Sequence, residues 1–313
     1  MVYEFNLQHS NQILDHFNRN GYVIIKDVLT KDECTQTTSE IQEVLQQKVP
    51  GFSFQDQESY PLLNNHLTNY GLPGKVPIFT PQMIKNRINP NIHQAFKLLY
   101  QDDKPLLVNH DRFAFYRPTL EHPEWKTPYT YPNLHLDMDP KMYLENSRLV
   151  KQKRLELDYS NPRSFITENN LNAGTTLQGI INIWDNMYND GGLQLVPGFH
   201  KNFIDWYSQK HMVHQSGVES LWKFDHKDPT DMQFLSKVIR IPMSAGSIAI
   251  WNKRLAHGSF PNNSMNGRLI QFILMQKRNA FPVLTLKNRK HALMKELKKI
   301  NFEPDFVGAS LLF

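Results

Sequence analysis

The chain has 313 residues, 40% hydrophobic and 12% aromatic, which is enough apolar material for a full core and too much for a disordered polymer. No apolar run approaches the roughly 18 residues of a membrane span, and the first ten residues lack the basic start and apolar stretch of a secretory signal. The single cysteine, Cys34, excludes an internal disulfide, argues against a thiolate metal site and points to a reducing, cytoplasmic setting, while the net charge of +5 is carried by one segment, 287–299.

In chain order, residues 11–18 read as a helix that Gly21 ends, and Tyr22, Val23, Ile24 and Ile25 as a strand. Thr30 and Glu33 have capping-box spacing, so a helix should run to about residue 48 with Cys34, Ile41, Val44 and Leu45 on its buried side. Cys34 is thus expected in the core. Residues 50–90 are proline-punctuated and read as loop, with a helix expected at 91–100. Short strands then dominate, at 106–108, 112–116, 177–183, 193–196, 237–241, 247–251 and 268–275. Asp190-Gly191-Gly192, Pro197-Gly198, Ala245-Gly246 and Pro261-Asn262-Asn263 separate several of them.

This pattern predicts a fold that is mainly β with helical additions, a jelly-roll or barrel in one domain. The expected parts are an N-terminal α/β entry (1–105), a β core (106–276) and a basic C-terminal helical extension (277–313). A charged stretch, 138–176, interrupts the core and reads equally as a substrate-selecting lid or as a surface excursion. In the C-terminal extension Leu293, Leu297 and Ile300 share a helix face, which leaves the lysines on a solvated one; a nucleic-acid patch is the alternative.

Three His-x-acid patterns occur: His122-Pro-Glu124, His135-Leu-Asp137 and His226-Lys-Asp228. With this composition chance supplies roughly one. The first carries a proline between its ends, and the third lies too close to the distal histidine for the core strands between them. The middle one has room on both sides. On a strand, residues two apart share a face, so His135 and Asp137 can hold one ion. With His257 they make two imidazoles and a carboxylate, the facial set that leaves metal positions open in non-haem iron oxygenases.

An apolar strand leads to His257, and Ser259 follows two residues later on the same face. A Pro/Asn/Gly turn then precedes Arg268, which a hairpin would return beside Ser259. A guanidinium grips a carboxylate with two parallel hydrogen bonds. An acid chelating the metal at one end would therefore meet Arg268 and Ser259 at the other.

On these residues the chain resembles the phytanoyl-CoA dioxygenase family. The resemblance rests on the strand entry Gly21-Tyr-Val-Ile-Ile, His135-Leu-Asp137, the run from Gly191 to His200 with its Pro197-Gly198, and His257-Gly-Ser259 with Arg268 eleven residues beyond His257. It implies a double-stranded β-helix, Fe(II) bound by His135, Asp137 and His257, and 2-oxoglutarate and O2 as co-substrates, with ascorbate as a candidate reductant. It also implies succinate and CO2 as co-products, and a carboxylate at 137 favours hydroxylation over halogenation.

The expected substrate is a small or acyl-type molecule, with Arg112, Tyr116, Asp139 and Gln178 as candidate contacts. His200 follows a turn and is read as structural. Two further readings share these residues: the same chemistry on a nucleic acid or protein through the basic helix, and a non-catalytic β-helix that binds a ligand.

Overall fold

A computed structural model of the protein describes residues 3–68, 70–125, 134–138, 140, 177–210, 222–281 and 283–313. The chain begins with β1 (Glu4–Phe5), α1 (Ser10–Asn20), β2 (Tyr22–Ile25) and α2 (Lys31–Gln46). Gly21 ends α1 with a left-handed φ of 79°, and its N–H bonds to Phe17 O. Thr30 and Glu33 form the expected capping box on α2. The stretch read as loop holds a 3-10 helix (Gln57–Leu63) and an α-helix, α3 (Pro81–Arg87), and α4 (Pro90–Tyr100) follows. The prolines of 50–90 argue for loop, but in α3 Pro81 stands in the first turn after the Thr80 cap, where proline favours a helix.

The strands come next: β3 (Leu106–Val108), β4 (Phe113–Tyr116), β5 (His135–Leu136), β6 (Leu177–Asn182) and β7 (Gly192–Leu195). Then follow α5 (Phe199–Ser208), β8 (Trp222–Lys223), α6 (Pro229–Leu235), β9 (Ile239–Arg240), β10 (Ile248–Asn252), β11 (His257–Phe260), β12 (Arg268–Ile273) and β13 (Met275–Lys277). The chain closes with α7 (Val283–Lys299) and α8 (Phe306–Leu312). Helices occupy more of the described chain than strands do, so "mainly β" understates them. The strand expectations all fall on strands, with ends shifted by a residue or two.

Six strands form one sheet in the order β1-β2-β10-β6-β12-β4, and five form a second in the order β8-β5-β11-β7-β9. The larger sheet is apolar on both sides. Val23, Ile25, Phe115, Ile181, Ile250 and Leu269 face a core shared with α1, α2, α4 and α7. Alternate residues, Ile24, Ala114, Ile180, Ala249 and Ile270, face a second core shared with Leu136, Leu193 and Leu195 of the smaller sheet. This is the period-two consequence of a strand buried on both faces. Each fully buried aliphatic contributes roughly 1.5–3 kcal/mol.

Cys34 is buried in the first core, as expected. In α7, Leu293 and Leu297 are buried. Arg289 turns inward to donate to Val108 O and Leu312 O, so one charge of the basic run serves packing. The stretch 138–176 falls outside the described residues except for 138 and 140, and Asp139 is also outside them. No described helix is long and apolar enough to cross a membrane.

Candidate active site

The two sheets enclose a cavity of about 510 Å³, lined by residues of both. On the smaller sheet β5 pairs with β11, and His135 and His257 are direct partners in that register. Asp137 lies just past β5. The ligand atoms of His135, Asp137 and His257 all fall within 4.8 Å of one another. Asp137 Oδ1 lies 3.5 Å from His135 Nε2, and Asp137 Oδ2 lies 3.4 Å from His257 Nε2.

Neighbouring groups set the orientation of these ligands. His257 Nδ1 is 2.9 Å from Leu255 O, a carbonyl that accepts the Nδ1 proton and leaves the Nε2 lone pair for the cluster. Gln178 Nε2 donates to Asp137 Oδ2 at 2.7 Å. A carboxylate accepts only, which fixes the amide orientation. Burial, followed by the nearby His257, lowers His135 to about 4, so it stands neutral as a metal ligand must. For Asp137 burial acts upward, but the close polar contacts with His257, His135 and Gln178 outweigh it and hold the carboxyl well below its usual range.

The rival patterns lie elsewhere. His122 and Glu124 bond to each other 3.0 Å apart at the surface, and His122 stacks on Trp125. Asp228 caps α6 and pairs with Lys210. His200 sits in the first turn of α5 against the Gly21 turn, away from the cluster.

Arg268 lies in the same cavity but reaches it differently from the expected hairpin. β11 belongs to the smaller sheet, whereas β12 belongs to the larger one, where it pairs with β4 and β6. The turn between them crosses from sheet to sheet. Buried Asn262 directs this crossing by donating to Arg117 O and Asn266 O, while Thr119 Oγ1 donates to Asn262 O. Arg268 and Ser259 therefore approach from opposite sheets.

The Arg268 side chain is 1% exposed, and its Nε and Nη1 have no hydrogen-bond partner among the described residues. Its guanidinium carbon stands 5.0 Å above the Tyr116 ring, and Tyr116 is its direct cross-strand partner. Tyr116 OH lies 3.5 Å from Ser259 Oγ. Gly192, with φ of 119°, leaves the space for this group. A Cβ there would come within 2.9 Å of Arg268 Cζ, 2.9 Å of Arg240 Nη2 and 2.7 Å of Asn186 Oδ1.

Of the candidate substrate contacts, Arg112 lines the cavity but is committed to Asp111 Oδ1 at 2.8 Å and Gly74 O at 2.7 Å. Tyr116 belongs to the Arg268 end, and Gln178 supports Asp137. Sequence reasoning missed Trp251, whose ring centre is 5.1 Å from that of His257 and which pairs directly with Gln178. It also missed the roles of Gly192 and Arg240. The glycine pair was visible, but as a turn; its use as space for a guanidinium depends on a strand from the other sheet.

Residues 160–270 match the family model described as phytanoyl-CoA dioxygenase (PhyH). A Dictyostelium discoideum protein named "Putative phytanoyl-CoA dioxygenase" is 36% identical over 300 residues, which cover 93% of this chain and 82% of that protein. The chain belongs to the phytanoyl-CoA dioxygenase family. Within solved structures, GIG2 of Candida albicans aligns over 94% of this chain and 70% of its own, with a TM-score of 0.64 and 17% identity. The epimerase SnoN, in complex with Fe3+, alpha ketoglutarate and nogalamycin RO, aligns over 89% of each chain with a TM-score of 0.51 and 13% identity. At such identities these two likenesses concern the fold. His135, Asp137 and His257, expected together from the sequence, form a cluster that could hold a metal ion.

Proposed function

We propose that the protein is an iron(II)- and 2-oxoglutarate-dependent oxygenase that hydroxylates a C–H bond of a small or acyl-type substrate, on a double-stranded β-helix made by its two facing sheets. One observation carries this reading: a buried guanidinium with two donors unpartnered among the described residues shares a cavity with a two-histidine, one-carboxylate cluster. A buried, unpaired cation is strongly disfavoured unless an anion meets it. A carboxylate supplies the matching fork.

The residues present fit the groups. His135, Asp137 and His257 would hold Fe(II), and Arg268, Tyr116 and Ser259 would hold the far carboxylate of 2-oxoglutarate. Bound iron and oxo acid supply the O2 chemistry, with succinate and CO2 as co-products and ascorbate as reductant.

The chain itself binds, orients and excludes water. Gln178 and the Leu255 carbonyl keep the ligands aimed at one point. Ile180, Ile270 and Phe272 make an apolar wall that strengthens polar contacts inside the cavity. Trp251 Nε1 and Gln178 Oε1 are buried without a partner among the described residues, side by side in the β10–β6 register. They offer a donor and an acceptor to a polar group of the substrate. A cavity of about 510 Å³ suits a small molecule, since such sites span roughly 300–1,000 Å³.

Adding Fe(II) and 2-oxoglutarate without oxygen should give a weak visible charge-transfer band, and admitting O2 should release succinate. Absence of both removes the oxygenase reading. His135→Ala or Asp137→Ala should abolish both signals, and Arg268→Ala should mainly weaken 2-oxoglutarate binding.

A further inference from the structure

We propose that Arg240 is a positioning residue for the co-substrate: its charge, held beside Arg268, makes the cavity select an oxo acid that bears a second carboxylate. The inference rests on the oxygenase reading and concerns a residue outside the cavity wall.

Arg240 is 4% exposed on β9. Its Nη1 donates to Leu193 O at 3.2 Å and to Ile241 O, and its Nη2 donates to Asn186 Oδ1 at 2.7 Å and Met187 O at 3.3 Å. Every one of these acceptors is neutral, so the hydrogen bonds seat the guanidinium without neutralising it. The Gly192 niche brings it to Arg268. Arg240 Nη2 and Arg268 Cζ each lie 2.9 Å from the point a Gly192 Cβ would occupy, hence less than 6 Å from one another.

The carboxylate nearest in effect, Asp190, is engaged by Met187 N at 2.7 Å and Asn266 Nδ2 at 3.1 Å. Burial, and then the Arg268 charge, disfavour the protonated form of Arg240, so the two groups feel one another. Among the described residues Arg268 has two donors without a partner, Nε and Nη1, whereas Arg240 has one, Nε. The division of labour follows: Arg268 touches the carboxylate, and Arg240 raises the positive potential that the carboxylate meets. An oxo acid without a far carboxylate gains nothing from either.

Calorimetric titration of the Mn(II)-loaded protein with 2-oxoglutarate and with 2-oxopentanoate, which lacks the far carboxylate, tests this. Wild type should prefer 2-oxoglutarate, and Arg240→Gln should reduce that preference by about tenfold while leaving 2-oxopentanoate affinity unchanged. Arg240→Lys should keep most of the preference. Arg240→Met, equally neutral and of similar reach, provides an independent arm if Arg240→Gln does not fold, and should lower the preference in the same way.

A purely structural Arg240 predicts an unchanged ratio in any folded Arg240→Gln or Arg240→Met, and that result overturns the inference. Wild type that binds 2-oxoglutarate no better than 2-oxopentanoate overturns it as well. Failure of wild type to bind either oxo acid instead counts against the oxygenase reading itself.

Discussion

A Cβ on Gly192 would fall 2.9 Å from Arg268 Cζ, although the two residues stand on strands of different sheets. Gly192→Ala should therefore displace the guanidinium and strain a backbone at φ 119°. Affinity for 2-oxoglutarate should fall about tenfold or more, with metal affinity little changed. Titrating both ligands into the variant separates these effects; an unaltered 2-oxoglutarate affinity would show that the guanidinium has room to move.

Gln178 supports Asp137, the carboxylate of the proposed metal cluster. Removing its amide with Gln178→Leu frees Asp137 to rotate, and loss of such a supporting hydrogen bond typically costs about 10–100-fold in metal affinity. Competition with a chromogenic chelator for Co(II) measures it. Equal affinity in the variant would assign the orientation of Asp137 to the backbone alone.

Two histidines outside the site make stability depend on acid. His200 is lowered to about 4 by burial, then by Arg254 and Lys201, against 6.5 for the free side chain. His110 is held well below 6.5 by burial, then by Arg87 and Arg289. Below about 6.5 the unfolded chain binds protons that the folded chain refuses, so stability falls as pH drops from there toward 4.

His110 stacks on Phe79 and has no hydrogen bond at either ring nitrogen among the described residues. His110→Phe should keep the fold and flatten part of that pH slope. Urea unfolding at several pH values reads both; an identical slope in the variant would refute the role given to His110.

The capping box on α2 closes through Glu33 N–H to Thr30 Oγ1 at 3.2 Å and Thr30 N–H to Glu33 Oε2 at 2.7 Å. Thr30→Ala should cost about 1 kcal/mol. A lowered urea midpoint with oxo-acid affinity intact is the expected pair of results.

Local rules made much of this molecule legible beforehand. Gly21, the Thr30–Glu33 box and the apolar runs of β2 and β6 act on their immediate neighbours, and each appears where those rules put it. His135 and Asp137 were separable from two rival pairs by context. The route to Arg268 was misjudged because seven residues rich in Pro, Asn and Gly suit a hairpin as well as a crossing. Asn262, which decides between them, bonds to Arg117 O far away in sequence. Arg240 was invisible for the same reason: its partners come from β7, Asn186 and Met187, and its meaning comes from a strand on the opposite sheet.

The hydrogen bond between Gln178 and Asp137 joins residues 41 positions apart, and almost everything between them is the stretch from 139 to 176. Asp137 follows β5 of the smaller sheet and Gln178 lies on β6 of the larger one, so this bond is also a staple between the two walls of the cavity. The carboxylate's aim and the spacing of the sheets are therefore set by one contact, and a change in either is felt by the other.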